Sequence, residues 1–263
     1  DNQVIYLLKG NSTDGMFKIY STFKFEINLA GLTLTNNDGP AINIQSKKRV
    51  DFKLAAGTSN TLIDGSSYAS STEDQKGTIF SEGQLVFNGN GALSVKGNKG
   101  HAICSDDYIE IEGGNITITG AAKDGIHSKD HFNLEGGTLN INATGDAVEC
   151  ETGKIKIEGG YLTSTTASAD AKGLKCDSTF TMTGGSLNLT VNGNQGKGIK
   201  SIDKINISGG NITINASGGV VLAALGSGFE PSYCTAIKCD STINISGATI
   251  TITATGTAGK GIS

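Results

Sequence analysis

The sequence predicts an all-β fold, a single-stranded right-handed parallel β-helix (a solenoid) with three short strands in each coil. Three observations predict it. A Gly-Gly step flanked by alternating apolar residues recurs along the chain, as in Ile111 to Ile118. A further short apolar strand precedes each step, as in Gly125 to Ser128. No long stretch has the i, i+3, i+4, i+7 apolar spacing of an amphipathic helix.

The repeat has a period of about 23–25 residues, which is typical of solenoid proteins. The second residue of the successive steps is Gly91, Gly114, Gly137, Gly160, Gly185, Gly210 and Ala248. So short a unit cannot close a sheet on itself, but it can wind once around an axis and pair with the next coil about 4.7–4.9 Å away. Leucine-rich repeats have a similar period, but their spaced-leucine pattern is missing here.

The repeat also sets the domain organisation. We predict an N-terminal cap over residues 1–24 and a β-helix over residues 25–263, with insertions near 64–77 and 216–235. A cap is expected because an open solenoid end exposes unpaired strand edges. The second insertion is apolar, so it either packs on the flank of the solenoid or presents aromatic rings to sugars.

Composition and charge limit the possible partners. The formal net charge of −4 and the pI of about 5.4 do not favour nucleic-acid binding, which usually needs a basic excess. No apolar run is long enough to span a bilayer. The missing signal peptide does not indicate the cytoplasm, because a chain that begins with Asp1 resembles a mature or trimmed one. We expect a monomer that is secreted or held at the cell surface.

The five cysteines are too few and too scattered for a disulfide scaffold. Three of them, Cys150, Cys176 and Cys239, share a repeat position with serines of other coils. Because side chains at this position point inward, we interpret it as a column of small buried residues rather than a metal or disulfide site.

Acidic residues recur at equivalent positions of successive coils, where a β-helix stacks them on one another. Asp124 is stacked on Asp146 in this way, with Glu149 beside them. Three carboxylates this close repel one another unless a cation intervenes, and oxygen-only ligand sets suit Ca²⁺. The predicted metal ligands are Asp124, Asp146 and Glu149, and a second stacked group of Asp106, Asp107 and Asp130. The alternative is that all are solvated turn residues neutralised by nearby lysines.

Lysines occupy the same positions in the later coils. A run of ammonium groups on one face is unfavourable without anions between them. A uronate chain is a string of carboxylates, so it could run along this face and supply those anions. The alternative is a solvated face with aspartates as counter-charges, and the histidines and Tyr233 as bystanders or packing residues. The predicted carbohydrate-binding residues are Lys172, Lys175, Lys197, Lys200, Lys238, His127 and Tyr233.

Three motifs carry a family resemblance: Asp124-Gly-Ile-His-Ser-Lys-Asp130, the Ile-x-Ile-x-Gly-Gly coils, and the segment that begins Asn36-Asn-Asp-Gly-Pro-Ala-Ile. Over about residues 25–263 the chain resembles a bacterial calcium-binding, carbohydrate-binding β-helix family first described in a cellulose-degrading clostridium. That family is similar to the pectate lyases. The resemblance implies extracellular binding of plant-type polysaccharide, cellulosic or pectic, without established cleavage.

The resemblance also implies which residues hold calcium. The family's Asp-Gly-Ile aspartates fall on Asp124 and Asp146, and its later acid falls on Asp107 and Asp130. The chain departs from the pattern at Lys172-Gly-Leu and Lys197-Gly-Ile, where lysine stands in place of the expected aspartate.

Three functions follow from these observations, because a fold alone does not decide among them. The leading hypothesis is an extracellular polysaccharide-binding protein with bound Ca²⁺. The second is a calcium-dependent pectate-type lyase, in which Lys175 or Lys200 would take the proton beside a uronate carboxylate. The third is a structural stalk or adhesin. We assign no catalytic residue and expect binding without cleavage, because no compact set of acid, base and positive clamp is evident.

Overall fold

The computed structural model describes residues 4–263, which contain β-strands, turns and no helix. Consequently, this part of the chain has no helix that could cross a bilayer. The strands in chain order are β1 (Val4–Ser12), β2 (Phe17–Tyr20), β3 (Phe25–Thr35), β4 (Ile42–Gln45), β5 (Val50–Leu54), β6 (Ser59–Ile63), β7 (Gly77–Ser81), β8 (Leu85–Gly89), β9 (Ala92–Gly97), β10 (His101–Ser105), β11 (Ile109–Ile111), β12 (Asn115–Ala121), β13 (Ile126–Ser128), β14 (His131–Leu134), β15 (Thr138–Ala143), β16 (Val148–Cys150), β17 (Lys154–Ile157), β18 (Tyr161–Thr166), β19 (Lys172–Cys176), β20 (Thr179–Met182), β21 (Ser186–Val191), β22 (Lys197–Ser201), β23 (Lys204–Ile207), β24 (Asn211–Ala216), β25 (Val221–Leu225), β26 (Gly228–Ser232), β27 (Thr235–Cys239), β28 (Thr242–Ile245), β29 (Thr249–Ala254) and β30 (Lys260–Ile262).

The predicted parallel β-helix is confirmed, with about ten turns in the described residues. One wall is a parallel sheet of ten strands in the order β2-β4-β7-β10-β13-β16-β19-β22-β27-β30. The other two walls belong to one 18-stranded sheet, because the long strands β1 and β3 each run through both. We call the outer surface of the first sheet the ten-stranded face.

Vertical registry holds along the ten-stranded face, strand by strand. His127 pairs with Glu149, Glu149 with Lys175, Lys175 with Lys200, and Lys200 with Lys238. Residues one repeat apart in the sequence are therefore spatial neighbours, as the stacking argument requires.

The core is a narrow column of apolar side chains that alternate with outward polar ones. Stacked aromatic rings contribute to it, with the ring centroids of Phe52 and Phe87 4.9 Å apart. The small-residue column is buried as predicted, and its cysteines are free thiols. The members of this column are Ser105, Ser128, Cys150, Cys176, Ser201 and Cys239.

The segment 1–24, predicted to be a cap, is part of the solenoid over its described residues. β1 pairs in parallel with β3, and β2 pairs with β4. Tyr6, Leu8 and Phe17 pack against the core from these strands. Residues 4–24 thus form a first coil. The repeat pattern did not predict this coil, because these residues lack the Gly-Gly step. Residues 1–3 lie outside the described part.

Both predicted insertions lie over the ten-stranded face. Residues 64–76 cross its beginning, where Lys18 forms an ion pair with Glu73 at 2.7 Å and Gln45 Nε2 donates to the carbonyl of Asp74 at 3.0 Å. The second insertion contains the antiparallel hairpin β25–β26. Ser232 of this hairpin lies 3.4 Å from Lys197 Nζ. The middle of the face, around β13, β16 and β19, therefore lies between the two insertions.

The repeated glycine step is required by backbone conformation and by close packing. Its second glycine has a left-handed φ in successive coils, with +76° at Gly137. A methyl group on Gly137 would also lie 2.5 Å from the carbonyl oxygen of Gly114 in the preceding coil. Only glycine combines this φ with so close an approach between coils.

Gly137→Ala is expected to lower the free energy of unfolding by about 1–3 kcal/mol, because alanine is strained at this φ and its methyl group collides with the carbonyl of Gly114 in the preceding coil. Gly120→Ala is the matched control, since its φ is not left-handed and a methyl group there has open space. It is expected to stay within about 0.5 kcal/mol of the parent protein. Urea unfolding measures both, and equal stability of the two variants would contradict the explanation.

Candidate functional site

The polar side chains of interest occupy two columns on the ten-stranded face. The first column lies at or just before the start of each strand and consists of His101, Asp124, Asp146, Lys172, Lys197, Thr235 and Lys260. The second column lies within the strands and consists of Cys104, His127, Glu149, Lys175, Lys200 and Lys238. The charge therefore changes from acidic to basic along the helix axis.

A ladder of side chain to backbone hydrogen bonds fixes the acidic part of the first column. The backbone N–H of Asp146 donates to Asp124 Oδ1 at 2.7 Å, and that of Lys172 donates to Asp146 Oδ1 at 2.7 Å. One oxygen of each aspartate is thereby committed to joining two coils. The other oxygen, Oδ2, is not committed to this ladder.

The predicted acidic group at Asp124, Asp146 and Glu149 is brought together. One carboxylate oxygen of each lies within 4.8 Å of the others. Both aspartates are buried and Glu149 is half-buried. Glu149 forms an ion pair with Lys175 from the next coil. Asp146 makes no such ion pair within residues 4–263.

Two histidines adjoin this group, and His101 was not among the predicted site residues. Asp124 Oδ2 lies 3.1 Å from His101 Nδ1 and 3.5 Å from His127 Nδ1. The two imidazole rings lie 4.5 Å apart, and His127 Nδ1 is also 3.2 Å from Glu149 Oε2. The sequence did contain a signal, since His101 occupies the column position of Asp124.

These contacts shift the pKa values in opposite directions. Burial alone would raise the pKa of Asp124, but hydrogen bonds from His101 and His127 hold it well below its usual range. Burial opposes protonation of His127, yet its bonds to Asp124 and Glu149 raise its pKa to about 9. Burial raises the pKa of Asp146 to about 7, only partly offset by the charge of Lys172. The hydrogen bond from His127 lowers the pKa of Glu149.

The second predicted acidic group has a different arrangement. Asp106 is paired with Lys76, whose ammonium lies 2.6 Å from Oδ1 and 2.7 Å from Oδ2. Asp107 accepts from Gln84 and from the backbone of Tyr108. Asp130 is exposed. Within residues 4–263 these three are not among the groups whose ligand atoms converge on one point.

The predicted lysines are brought onto one surface, but in different environments. Lys172 is paired with Asp170 at 3.1 Å, and Lys197 lies 3.6 Å from the same carboxylate. Lys175 forms an ion pair with Glu149. Burial opposes the charge of Lys175, but its hydrogen bond to Glu149 outweighs burial and raises the pKa of Lys175. Burial lowers the pKa of Lys197.

A groove lies where the second insertion meets the last coils, and its volume is about 420 Å³. Lys197, Lys200 and Lys238 line its floor together with Lys260, and Tyr233 lines its wall. The Lys260 ammonium stands 3.7 Å from the centroid of the Tyr233 ring. Lys238 is paired with Asp240 at 3.1 Å, whereas Lys200 and Lys260 form no ion pair within residues 4–263. We call this the lysine groove.

Lys260 was missed at the sequence level, although its Lys-Gly-Ile motif repeats that of Lys197. The register confirms the equivalence, since Lys197 pairs with Thr235 and Thr235 with Lys260.

Comparison with known proteins gives consistent matches. Residues 2–224 match the model of a family described as carbohydrate-binding domain-containing protein. A relative from Acetivibrio thermocellus with the same description is 30% identical over 112 residues, or 41% of this chain and 39% of the relative. A solved structure described as the polysaccharide lyase-like protein from C. thermocellum, gadolinium derivative, has a TM-score of 0.72 and 26% identity. The match covers 79% of this chain and 85% of the chain in the solved structure.

His127 is expected to stay protonated well above neutral pH in metal-free protein, with a midpoint near 9. Its folded-state pKa exceeds the value of about 6.5 for an unfolded chain. Its ion pairs therefore stabilise the fold fully below about pH 6.5, and this contribution is lost as the pH rises through about 9.

Histidine NMR signals followed across a pH titration of chelator-treated protein measure this midpoint. Glu149→Gln removes one of the three acids near His127, which are Asp124, Glu149 and Glu151, and is expected to lower the midpoint by about one pH unit or more. An ordinary midpoint for His127 in the parent protein would show that the contacts with Asp124 and Glu149 do not persist in solution.

Proposed function

Because this chain belongs to the family of carbohydrate-binding domain-containing proteins, we propose that it binds an acidic polysaccharide of plant type, such as a pectic uronate, along the ten-stranded face. The lysine groove is the observation that carries this proposal. It offers four ammonium groups and an aromatic ring within one open cleft of about 420 Å³. A neutral cellulosic chain would use the ring but leave Lys200 and Lys260, which form no ion pair within residues 4–263, without a negatively charged partner.

Charge and spacing support an extended acidic ligand. Lys175, Lys200 and Lys238 stack at the repeat of the coils, so their Cα atoms recur about every 4.8 Å along the axis. A polyuronate presents carboxylates at regular intervals and could neutralise several of these lysines at once. The insertions at either end of the face would confine such a chain between them.

Calcium is the second part of the proposal. Asp124, Asp146 and Glu149 offer three carboxylates whose oxygens converge within 4.8 Å, and Ca²⁺ prefers such oxygen ligands. The Oδ2 atoms of the two aspartates, which lie outside the backbone ladder, and one oxygen of Glu149 would hold the ion. Bound Ca²⁺ would supply positive charge to a uronate carboxylate. The gadolinium derivative of the related solved structure is consistent, because lanthanide ions also prefer oxygen ligands.

An extracellular location fits this role and the state of the cysteines. The five thiols are buried and unpaired in the described structure. Burial raises the pKa of Cys176 to about 11 and also raises that of Cys104 and Cys150. Since the thiolate is the reactive form, these thiols resist oxidation outside the cell.

Cleavage of the polysaccharide is the second candidate, favoured by the description of the solved relative as lyase-like. A lyase needs a base near the proton to be removed. The raised pKa of Lys175 argues against that residue, whereas the lowered pKa of Lys197 suits a base. However, the Lys197 ammonium donates to the carbonyl of Gln195 and stands two coils away from the acidic group.

The protein is expected to be retarded in gels that contain polygalacturonate and to move freely in gels that contain a neutral glucan. The double change Lys200→Gln and Lys238→Gln should weaken retention about tenfold or more, because a hydrogen bond to a charged group contributes about 1.5–3 kcal/mol. The matched control is Lys154→Gln with Lys204→Gln, which removes the same charge from exposed sites on another wall.

Equal loss of retention in both double variants would show that net charge alone causes the effect, which would contradict the proposed groove. Ultraviolet absorbance of an unsaturated product, measured on the same polymer, tests the lyase alternative directly. Binding without this signal supports a binding protein, whereas a Ca²⁺-dependent signal supports the lyase.

Saturating Ca²⁺ is expected to raise the thermal unfolding midpoint by about 5 °C over chelator-treated protein, since ligand at 100 times its Kd adds about 2.7 kcal/mol. Asp146→Asn should abolish the rise while keeping the acceptor for the Lys172 amide. Asp203→Asn, at an exposed position, should retain it. A rise that persists in Asp146→Asn would place the ion elsewhere.

A further inference from the structure

The two histidines beside the acidic group form a second possible set of metal ligands with different chemistry. His101, Asp124 and His127 each offer one ligand atom, and these three atoms lie within 4.8 Å of one another. Two imidazoles and one carboxylate suit transition metals, whereas Ca²⁺ prefers oxygen alone. We propose that these three residues form a site for a divalent transition metal of the zinc class.

The distances within the group match such an ion. Asp124 Oδ2 is 3.1 Å from His101 Nδ1 and 3.5 Å from His127 Nδ1. Ligand atoms bound at about 2.0–2.1 Å around a tetrahedral Zn²⁺ lie about 3.3 Å apart. Two of the three distances between ligand atoms are therefore already close to those around one bound ion.

Without an ion, the two contacts of His101 Nδ1 are incompatible with each other. His101 Nδ1 must carry a proton to bond to Asp124 Oδ2, but it must lack one to accept from the backbone N–H of Asp124 at 3.3 Å. A single nitrogen cannot satisfy both contacts at once. The ring centroids of His101 and His127 also lie 4.5 Å apart, and a nitrogen of each ring approaches the same carboxylate oxygen.

The scaffold holds this arrangement in place before any ion binds. Asp124 Oδ1 accepts the backbone N–H of Asp146, which fixes the carboxylate with Oδ2 toward the histidines. His101 and Asp124 are buried, each with a relative exposure of 9%. Glu149 Oε2 lies 3.2 Å from His127 Nδ1 and could supply a fourth ligand. The remaining coordination positions of the ion would lie on the ten-stranded face.

This site shares Asp124 with the proposed calcium site but not Asp146, so the two ions compete and are separable by mutation. Its occupancy does not depend on polysaccharide binding. The failure of one proposal therefore leaves the other standing.

Calorimetric titration of the chelator-treated 263-residue chain with Zn²⁺ tests the site. One ion per chain is expected, with affinity reduced about tenfold or more in His127→Gln, because even indirect partners of metal ligands contribute about 10–100-fold. His131→Gln is the matched control, since His131 stacks on Tyr108 away from the group and should leave Zn²⁺ binding unchanged. Asp146→Asn should lose the Ca²⁺ response but keep that to Zn²⁺.

X-ray absorption of the Zn²⁺-loaded parent protein requires no variant and decides the case even if His127→Gln fails to fold. Imidazole nitrogens in the first coordination shell are expected. An all-oxygen shell, no Zn²⁺ binding, or equal affinity in folded His127→Gln and the parent protein would each overturn the proposal.

Discussion

The structure depends on the parallel pairing of each strand with its counterpart in the next coil. Pairing fixes a spacing of about 4.8 Å along the axis and allows no sideways slip, because a shift by one residue would turn the buried apolar side chains outward. Ile126 on Val148, and Val148 on Leu174, exemplify the constraint inside the core. The same constraint places Glu149 between His127 and Lys175 on the outside. Core packing and surface chemistry are therefore set by one register.

The two halves of the ten-stranded face differ because their turns differ. Where the coil is short, an aspartate precedes the strand and one of its oxygens accepts a backbone N–H from the next coil. In the longer coils a left-handed residue, Asp170 or Gln195, reshapes the turn, and a lysine occupies the position of the aspartate. Backbone groups then satisfy the link, as in the bond from the Lys197 N–H to the carbonyl of Ala171. An acidic group and a lysine groove thus share one scaffold.

The insertions add nonrepeating features to this regular scaffold. The first covers the early strands, and Cys104, although it belongs to the outward second column, is buried. The second forms a wall beside the last coils and brings Tyr233 to the ammonium of Lys260. Neither effect has a counterpart in the repeat itself. What distinguishes this face from that of a plain β-helical rod is supplied by the segments that break the period.

The sequence alone determined the solenoid, its period, the inward columns and the stacking of Asp124 on Asp146, because a repeat this short permits only one way to bury its apolar face. It also predicted the lysine column, since registry follows directly from the repeat. Only the tertiary structure decided which charges find partners. Asp106 turns to Lys76, Glu149 to Lys175, and His101 to Asp124, because side-chain conformations and insertions are not periodic. The groove likewise depends on where a nonrepeating hairpin lies, which the spacing of the repeats does not specify.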